Sequence, residues 1–319
     1  MIFDSSNNMN ETNTTPYELH FYFIHIGIGS VCAILDTVIC VVFITSKSLR
    51  CNMFYRILLP LFVFHFLGAT SITIRSELVL FDVDIKYLCS FLSLVGLTSR
   101  VLSASQTAII SVDRYQATFV TTTSTLQRRR RRLGVVAIII AFFVILVNTT
   151  LWSIDMNPTC DSMMSHDKTE DIIAGIAAFW IIVNIFLLEI PLTTLTAKNI
   201  KQRSTKIGVN VIFTVPRGTA NHRQTSISNC TPPSIQKKMK IKIQALKTLI
   251  LFVLCHIITF LPQIGLLIAF RGYDNYRKLL LSCNIILTLT NYMMDGLLCM
   301  LWIKPFRERI VMLVYRIVS

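Results

Sequence analysis

Seven long apolar segments constrain what this chain can fold into. They lie at residues 19–46, 53–76, 87–118, 133–154, 172–197, 243–270 and 279–303. Each is longer than the roughly 20 residues that a helix needs to cross a bilayer. A helix satisfies all its backbone hydrogen bonds within the segment, which a chain in lipid requires. The sequence therefore predicts an all-α membrane protein with a seven-transmembrane helix bundle over residues 19–303.

The composition also favours a membrane protein over a soluble one. Hydrophobic residues make up 53% of the 319 residues and charged residues only 15%, whereas a soluble domain carries about a quarter. Most of the nine cysteines lie inside apolar segments, where they are small core residues. Because no C-x-x-C pair, metal-ligand spacing or Ser-His-Asp arrangement is found, we expect neither a cofactor nor an enzyme.

The basic residues set the expected orientation. Residues 1–18 carry sequons at Asn10 and Asn13 but no Lys or Arg, which is typical of an extracellular glycosylated tail. Most of the 31 Lys and Arg fall on the opposite side, in alternate loops and at the C-terminus. The net charge of +14 is therefore interpreted as a topology signal facing anionic lipid, not as a nucleic-acid interface. No short apolar leader precedes the first span, so no cleavable signal peptide is predicted.

Two charged segments lie outside the predicted spans. The connection 198–242 is basic and rich in Ser and Thr, which predicts a mostly disordered third cytoplasmic loop with helical ends. Residues 304–319 are too short and too charged to span. Phe306 and Ile310 share one helical face there, apart from Arg307, so we predict an amphipathic interfacial helix.

Short motifs stand at defined positions of these spans. Asp113-Arg114-Tyr115 closes the third span. Cys89 stands at the outer start of the same span, and Cys160 lies between the fourth and fifth spans. In these marks the chain resembles the rhodopsin-like family of G-protein-coupled receptors, whose D-R-Y motif closes the third helix, and the resemblance covers essentially the whole chain. The third inner loop is also faintly similar to that of the subgroup around G-protein-coupled receptor 22.

The resemblance implies a plasma-membrane receptor that transduces an extracellular signal to heterotrimeric G proteins. In the family, the aspartate of the D-R-Y motif holds the arginine in the inactive state, and the released arginine contacts the G protein. The resemblance also implies a disulfide between Cys89 and Cys160. It further implies a hinge in the sixth helix at Phe260 and Pro262.

The departures from the family pattern affect its activation relay. The seventh-helix N-P-x-x-Y motif falls on residues 295–299 without its Pro and Tyr, and the first-helix Asn falls on Asp36. Counting along the second span places the family's buried acid near Phe62. The acid that often clamps the inner end of the sixth helix falls on Lys242, a like charge. We therefore predict a weaker inactive clamp and raised basal signalling.

Arg100 lies in the middle of the third span, where an unpaired charge is costly, so it must face the bundle. One interpretation is an anchor for an acidic or carboxylate-bearing ligand. The other, which we favour, is an internal salt bridge with Asp36, Asp295 or Glu189, because these intramembrane acids also need partners. His65 and His256 are interpreted as hydrogen-bonded core residues.

Two positions narrow the ligand class that the resemblance allows. Gly96 occupies the place where amine receptors carry an Asp, so a protonated amine lacks its usual counter-ion. Leu289 occupies the place where opsins carry the retinal-binding Lys, which argues against a light receptor. The residues leave the extracellular ligand otherwise open.

Two alternatives remain from the sequence. A degenerate or constitutively active receptor without its own ligand is favoured by the altered seventh helix and disfavoured by the intact Asp-Arg-Tyr motif. A small membrane transporter would use Arg100, Asp36 and Asp295 as an ion path, but the internal repeats typical of transporters are not seen.

Overall fold

The computed structural model describes residues 16–51, 53–81, 83, 85, 87–119, 123–154, 168–206, 233–269 and 277–318. These residues form helices α1 (Pro16–Thr45), α2 (Lys47–Cys51), α3 (Met53–Leu80), α4 (Leu88–Phe119), α5 (Thr123–Ile154), α6 (Lys168–Val183), α7 (Ile190–Lys206), α8 (Pro233–Ala269), α9 (Arg277–Trp302) and α10 (Lys304–Val318). A π-helical turn, Asn184–Glu189, joins α6 to α7. Within the described ranges the chain contains no strand.

Seven of these helical segments are long and apolar enough to cross a membrane, which confirms the predicted bundle. They are Leu19–Thr45, Phe54–Leu80, Leu88–Phe119, Ser124–Thr150, Gly175–Arg203, Leu246–Leu266 and Leu279–Leu301. The largest boundary differences are at α5, which begins at Thr123 and not at the predicted residue 133, and at α8, which begins at Pro233 and not at the predicted residue 243. Hydropathy marks only where a helix becomes apolar, whereas its backbone hydrogen bonds continue through the preceding basic residues.

Helix α4 is the centre of the bundle. Every residue from Val101 to Ser111 is buried, and the helix contacts α3, α5, α6, α7 and α8. Large apolar side chains instead cover the outside of the bundle, as at Ile138 and Phe142 on α5, which are 70% and 68% exposed. This arrangement suits a lipid environment, because polar groups meet inside and apolar groups face the acyl chains.

The π-helical turn decides which residues of the fifth span face the bundle. Its last hydrogen bond runs from the Ile190 N–H to the Ile185 carbonyl, five residues back. Buried residues along this span recur every four positions, at Ala177, Ile181, Ile185, Glu189 and Thr193. In an α-helix each such step overshoots a full turn by about 40°, so the residues would leave the inner face. The extra residue of the π turn offsets much of this drift and keeps Glu189 inside.

Helix α10 packs on the bundle at its first turn. The Phe306 side chain is buried in the same apolar cluster as Leu58 and Leu298, and its ring centroid lies 5.7 Å from that of Tyr55. Arg307 is exposed. The predicted helix is therefore present, and its apolar and charged residues separate as expected. Its position along a membrane surface stays a prediction.

Close packing of α3 on α9 leads to a first testable expectation. A Cβ at Gly68 would lie 2.9 Å from the Tyr292 ring, which is fully buried and stacked on His65 at 4.3 Å between centroids. We expect Gly68→Ala to lower the free energy of unfolding by about 1–3 kcal/mol, because neither ring can move without repacking. Thermal unfolding in detergent micelles measures this.

Gly265→Ala on α8 is the matched control. A Cβ at Gly265 meets none of the described atoms within 4 Å. The control should be neutral or stabilising by about 0.5–1 kcal/mol, since alanine costs a helix less entropy than glycine. Equal effects at the two glycines would contradict the packing of Tyr292 against α3.

Candidate functional site

The first candidate site lies at the end of α4, around Asp113. Its carboxylate is fully buried. Arg130 of α5 binds both oxygens, with Nε donating to Oδ1 at 2.6 Å and Nη2 donating to Oδ2 at 3.1 Å. Such a bidentate arginine–carboxylate pair is among the stronger side-chain interactions in proteins. Asp113 is therefore fixed chiefly by α5.

Arg114 is held much more loosely by the same carboxylate. Its Nη2 lies 3.7 Å from Asp113 Oδ2, beyond ordinary hydrogen-bond length. The Arg114 guanidinium carbon instead lies 3.2 Å from the ring centroid of Phe54 on α3, a cation–π contact. Tyr115 places its ring edge on Phe119, with centroids 4.9 Å apart. The three motif residues thus have three different surroundings.

Sequence reasoning missed Arg130 because the run 128–132 was assigned to a loop. Within α5, Arg130 is partly buried beside Asp113, whereas Arg128, Arg129, Arg131 and Arg132 are exposed. A helix turns about 100° per residue, so the other four arginines of the run point at least about 100° away from Arg130. Lys242, predicted to weaken the clamp, lies in α8, but its side chain is outside the described residues, so that part stays a prediction.

The second candidate site is a buried charge cluster of His65, Glu189, His256 and Asp295, each fully buried. His256 Nδ1 lies 3.3 Å from Glu189 Oε2, and His256 Nε2 lies 3.5 Å from Asp295 Oδ2. His65 Nε2 lies 3.8 Å from the same Asp295 oxygen. The cluster therefore connects α3, α8, α9 and the π-helical turn through polar contacts.

Asp36 of α1 lies at the edge of the buried charge cluster. It is fully buried and close enough to Asp295 to interact with it electrostatically. Among the described residues neither Asp36 oxygen has a hydrogen-bond partner. Both acids thus lie where the first and seventh spans meet.

Arg100 does not join the acids, contrary to the favoured interpretation. Its Nη2 donates to Asn284 Oδ1 of α9 at 2.9 Å, and its guanidinium carbon lies 5.4 Å from the Phe260 ring centroid. The histidines occupy the positions beside Glu189 and Asp295 that Arg100 was expected to fill. Within the described part of the chain, Arg100 forms no salt bridge.

The sequence contained a signal for this cluster. The sequence places the family's buried acid near Phe62, and the α3 residue that contacts Asp295 is His65, one helical turn further on. Intramembrane ionisable groups pair with one another. Two histidines and three acids within apolar spans therefore indicate contacts among themselves, a pattern that considering each histidine separately does not show.

The predicted hinge residues of the sixth helix have opposite surroundings. Phe260 is buried against Ala104, Ile181 and Ile185 and lies beneath Arg100. Pro262 lies within α8 and is exposed on its outer surface. A movement of Arg100 would thus press directly on α8 at Phe260, although hinge motion itself stays a prediction.

Hydrogen bonds continue from Arg100 toward the buried charge cluster along the α8–α9 interface. Gln263 donates to Thr288 at 3.3 Å, and Thr259 donates to Asn291 at 3.0 Å. Thr259 lies one helical turn from His256. Polar side chains therefore bridge these two helices from the Arg100 level to the cluster.

Three predicted features reach beyond the described residues. Cys89 is disulfide-bonded and fully buried at the start of α4. Its predicted partner, Cys160, lies outside the described residues, so the pairing stays a prediction. The sequons at Asn10 and Asn13 and the centre of the third loop, 207–232, also lie outside them.

A seven-helix bundle with Asp-Arg-Tyr at the end of its central helix defines a class of membrane receptor. The sequence model of the 7 transmembrane receptor (rhodopsin family) matches residues 36–296, from α1 to α9. The chain therefore belongs to the rhodopsin family of G-protein-coupled receptors, which are multi-pass membrane receptors and not enzymes. No curated protein matches this sequence.

Proposed function

We propose that this receptor couples the binding of an extracellular ligand to the activation of a heterotrimeric G protein through Arg114. The arginine of this motif contacts the G protein in the family. Here it lies at the end of the central helix, against Phe54 of α3. The same proposal assigns residues 1–18 to an extracellular tail and 198–242 to a cytoplasmic loop, because basic residues concentrate beside the Arg114 end.

One observation carries the proposal: the Asp113 carboxylate is occupied by Arg130, not by Arg114. The Arg114 contact to Asp113 is long at 3.7 Å, whereas both Arg130 contacts are short. Release of Arg114 therefore requires breaking a cation–π contact with Phe54 and a long ion pair with Asp113. Such contacts contribute about 0.5–2 kcal/mol, which allows both states of Arg114 to be populated.

The test is basal G-protein activation in transfected cells at matched surface expression. We expect the receptor to signal above empty-vector cells, and Arg114→Ala to reduce the signal to the vector level. Arg129→Ala is the matched control, because Arg129 is an exposed arginine at the same end of the bundle. A signal that persists in Arg114→Ala would contradict coupling through this residue.

A degenerate receptor without a ligand of its own is the second candidate. The buried charge cluster favours it, because His256 bridges α8 to α9 and the π-helical turn where the family's seventh helix carries N-P-x-x-Y. Such a tie restricts the outward swing of α8. In that case Arg114→Ala and the unmodified receptor would both remain silent, with or without added ligands.

A further inference from the structure

A cavity of about 190 Å³ lies between α1, α3, α4 and α9. Its lining includes Tyr22, Val79, Leu92 and Leu279, which belong to the helix ends opposite Asp113. Arg100 forms part of its floor, 14 positions before Arg114 on α4. At about 1.5 Å per residue, this is roughly 20 Å from the proposed coupling arginine. The cavity is thus separate from both sites described above.

The described charged groups that line the cavity have one sign. Arg75 and Arg100 both line it, together with His25, and no acidic side chain appears among the described lining residues. A cationic group at membrane depth is costly unless it meets an anion or water. Arg100 has no acidic partner among the residues that the structure describes. The described acids of the bundle centre instead face the two histidines of the buried charge cluster.

The Arg100 guanidinium is held in one orientation, but not all of its hydrogen-bond donors have acceptors. Asn284 accepts one of its five N–H groups, and Nε–H has no partner within the described part of the chain. The contact with Phe260 restricts the guanidinium plane from one side. A carboxylate in the cavity would accept the remaining donors in the forked geometry that arginine favours.

The volume and walls limit the rest of the ligand. An apolar cavity of about 150 Å³ holds benzene, so about 190 Å³ accommodates one ring or a short chain with a carboxylate. Such a ligand has about nine non-hydrogen atoms, as benzoate does. The walls beside the arginines are apolar at Ile72, Leu97 and Ile285. A polar ligand without an apolar body would leave this surface unfilled.

We propose that this cavity binds a small organic anion, with its carboxylate on Arg100 and its apolar body against Ile72, Leu97 and Ile285. Binding would push Arg100 against Phe260 and so bias α8. Only this second step rests on the proposed function, since binding itself needs no G protein. The anion could be a free acid or the charged head of a lipid, and the experiment separates the two.

The experiment measures binding of benzoate, benzamide and benzylamine to the full chain in nanodiscs of neutral lipid, without G protein. We expect benzoate to bind at least about tenfold more tightly than benzamide, and benzylamine not to bind, because hydrogen bonds to a charged group are stronger. Arg100→Gln should lower the affinity for benzoate by about tenfold to a hundredfold and leave the affinity for benzamide unchanged. Arg129→Gln, an exposed arginine at the other end, is the matched control.

A second variant keeps the test independent of Arg100 folding defects. Ser93 lines the cavity, and Ser93→Phe fills it without removing a charge. It should abolish benzoate and benzamide binding together, in a receptor that unfolds near the unmodified temperature. Equal affinity for benzoate and benzamide, or full benzoate binding in folded Arg100→Gln and Ser93→Phe receptors, would overturn the proposal.

Nanodiscs that contain anionic phospholipid identify the source of the anion. If the anionic phospholipid competes with benzoate, and this competition disappears in Arg100→Gln, the anion of the cavity is a lipid headgroup. If the phospholipid does not compete, the anion is a soluble acid. If the receptor binds benzoate but never activates a G protein, the cavity proposal holds and the proposed function is wrong. If the receptor signals through Arg114 but binds no anion, only the cavity proposal is wrong.

Discussion

Replacing His256 with leucine is expected to lower the free energy of unfolding by about 3–5 kcal/mol. The imidazole lies 3.3 Å from Glu189 and 3.5 Å from Asp295, and all three side chains are fully buried. His256 is the only ionic partner that Glu189 has among the described residues, so its removal leaves a buried carboxylate unpaired. Breaking a buried pair by removing one partner typically has this cost. Thermal unfolding of purified receptor measures it.

The double variant His256→Leu/Glu189→Leu separates lost pairing from lost packing. We expect it to recover at least half of the stability, because an apolar pair of similar volume often replaces a buried ion pair without loss. Leu254→Ala on the exposed face of α8 is the control and should change stability by less than about 1 kcal/mol. A His256→Leu receptor as stable as the unmodified one would contradict the importance of the cluster.

Replacing Arg130 with glutamine is expected to lower basal G-protein activation, not to raise it. Arg130 now occupies both oxygens of Asp113. Without it, Arg114 becomes the only cation beside this buried carboxylate within the described residues and should bind it at hydrogen-bond distance. If this bond stabilises the inactive state by about 1 kcal/mol more, the fraction of active receptor falls about fivefold. A G-protein reporter at matched surface expression measures this.

Two variants accompany this measurement. Asp113→Asn removes the charge that both arginines share, so basal activation should rise. Arg129→Gln changes the net charge equally but lies exposed, and it should have no effect. If Arg130→Gln raised activation as Asp113→Asn does, Arg130 would be part of the clamp and not a competitor for Asp113.

Much of the fold follows from hydropathy alone. Twenty or more apolar residues have no other stable form in lipid than a helix, so the seven spans could be placed from sequence. The Asp-Arg-Tyr motif could also be placed at the end of the third span. Hydropathy does not determine how each helix is rotated about its own axis, since a helix that is apolar enough for lipid can turn any of its faces toward the bundle. This is why the burial of Arg130 beside Asp113 and the contact of His65 with Asp295 could not be predicted.

The polar interior was harder to predict for a related reason. Arg100 was expected to meet an acid because Coulomb attraction favours that pair when each residue is considered alone. In the folded chain, partners are decided by depth and by which helices are neighbours. Asn284 lies opposite Arg100 on α9, whereas Glu189 and Asp295 lie level with His256. The cavity likewise depends on the absence of side-chain volume at Gly96, which only the packing of α3 against α4 shows.

The π-helical turn at Asn184–Glu189 makes the fifth span one residue longer than its neighbours require. Deleting Leu187, which is exposed, would allow a continuous α-helix in which Ile181 and Glu189 stand seven positions apart. Seven positions fall about 20° short of two full turns, so both residues would still face the bundle. The π turn thus absorbs one residue without changing the inward face on either side of it. An ungapped alignment with a span that lacks this turn therefore assigns inward positions wrongly on one side of it.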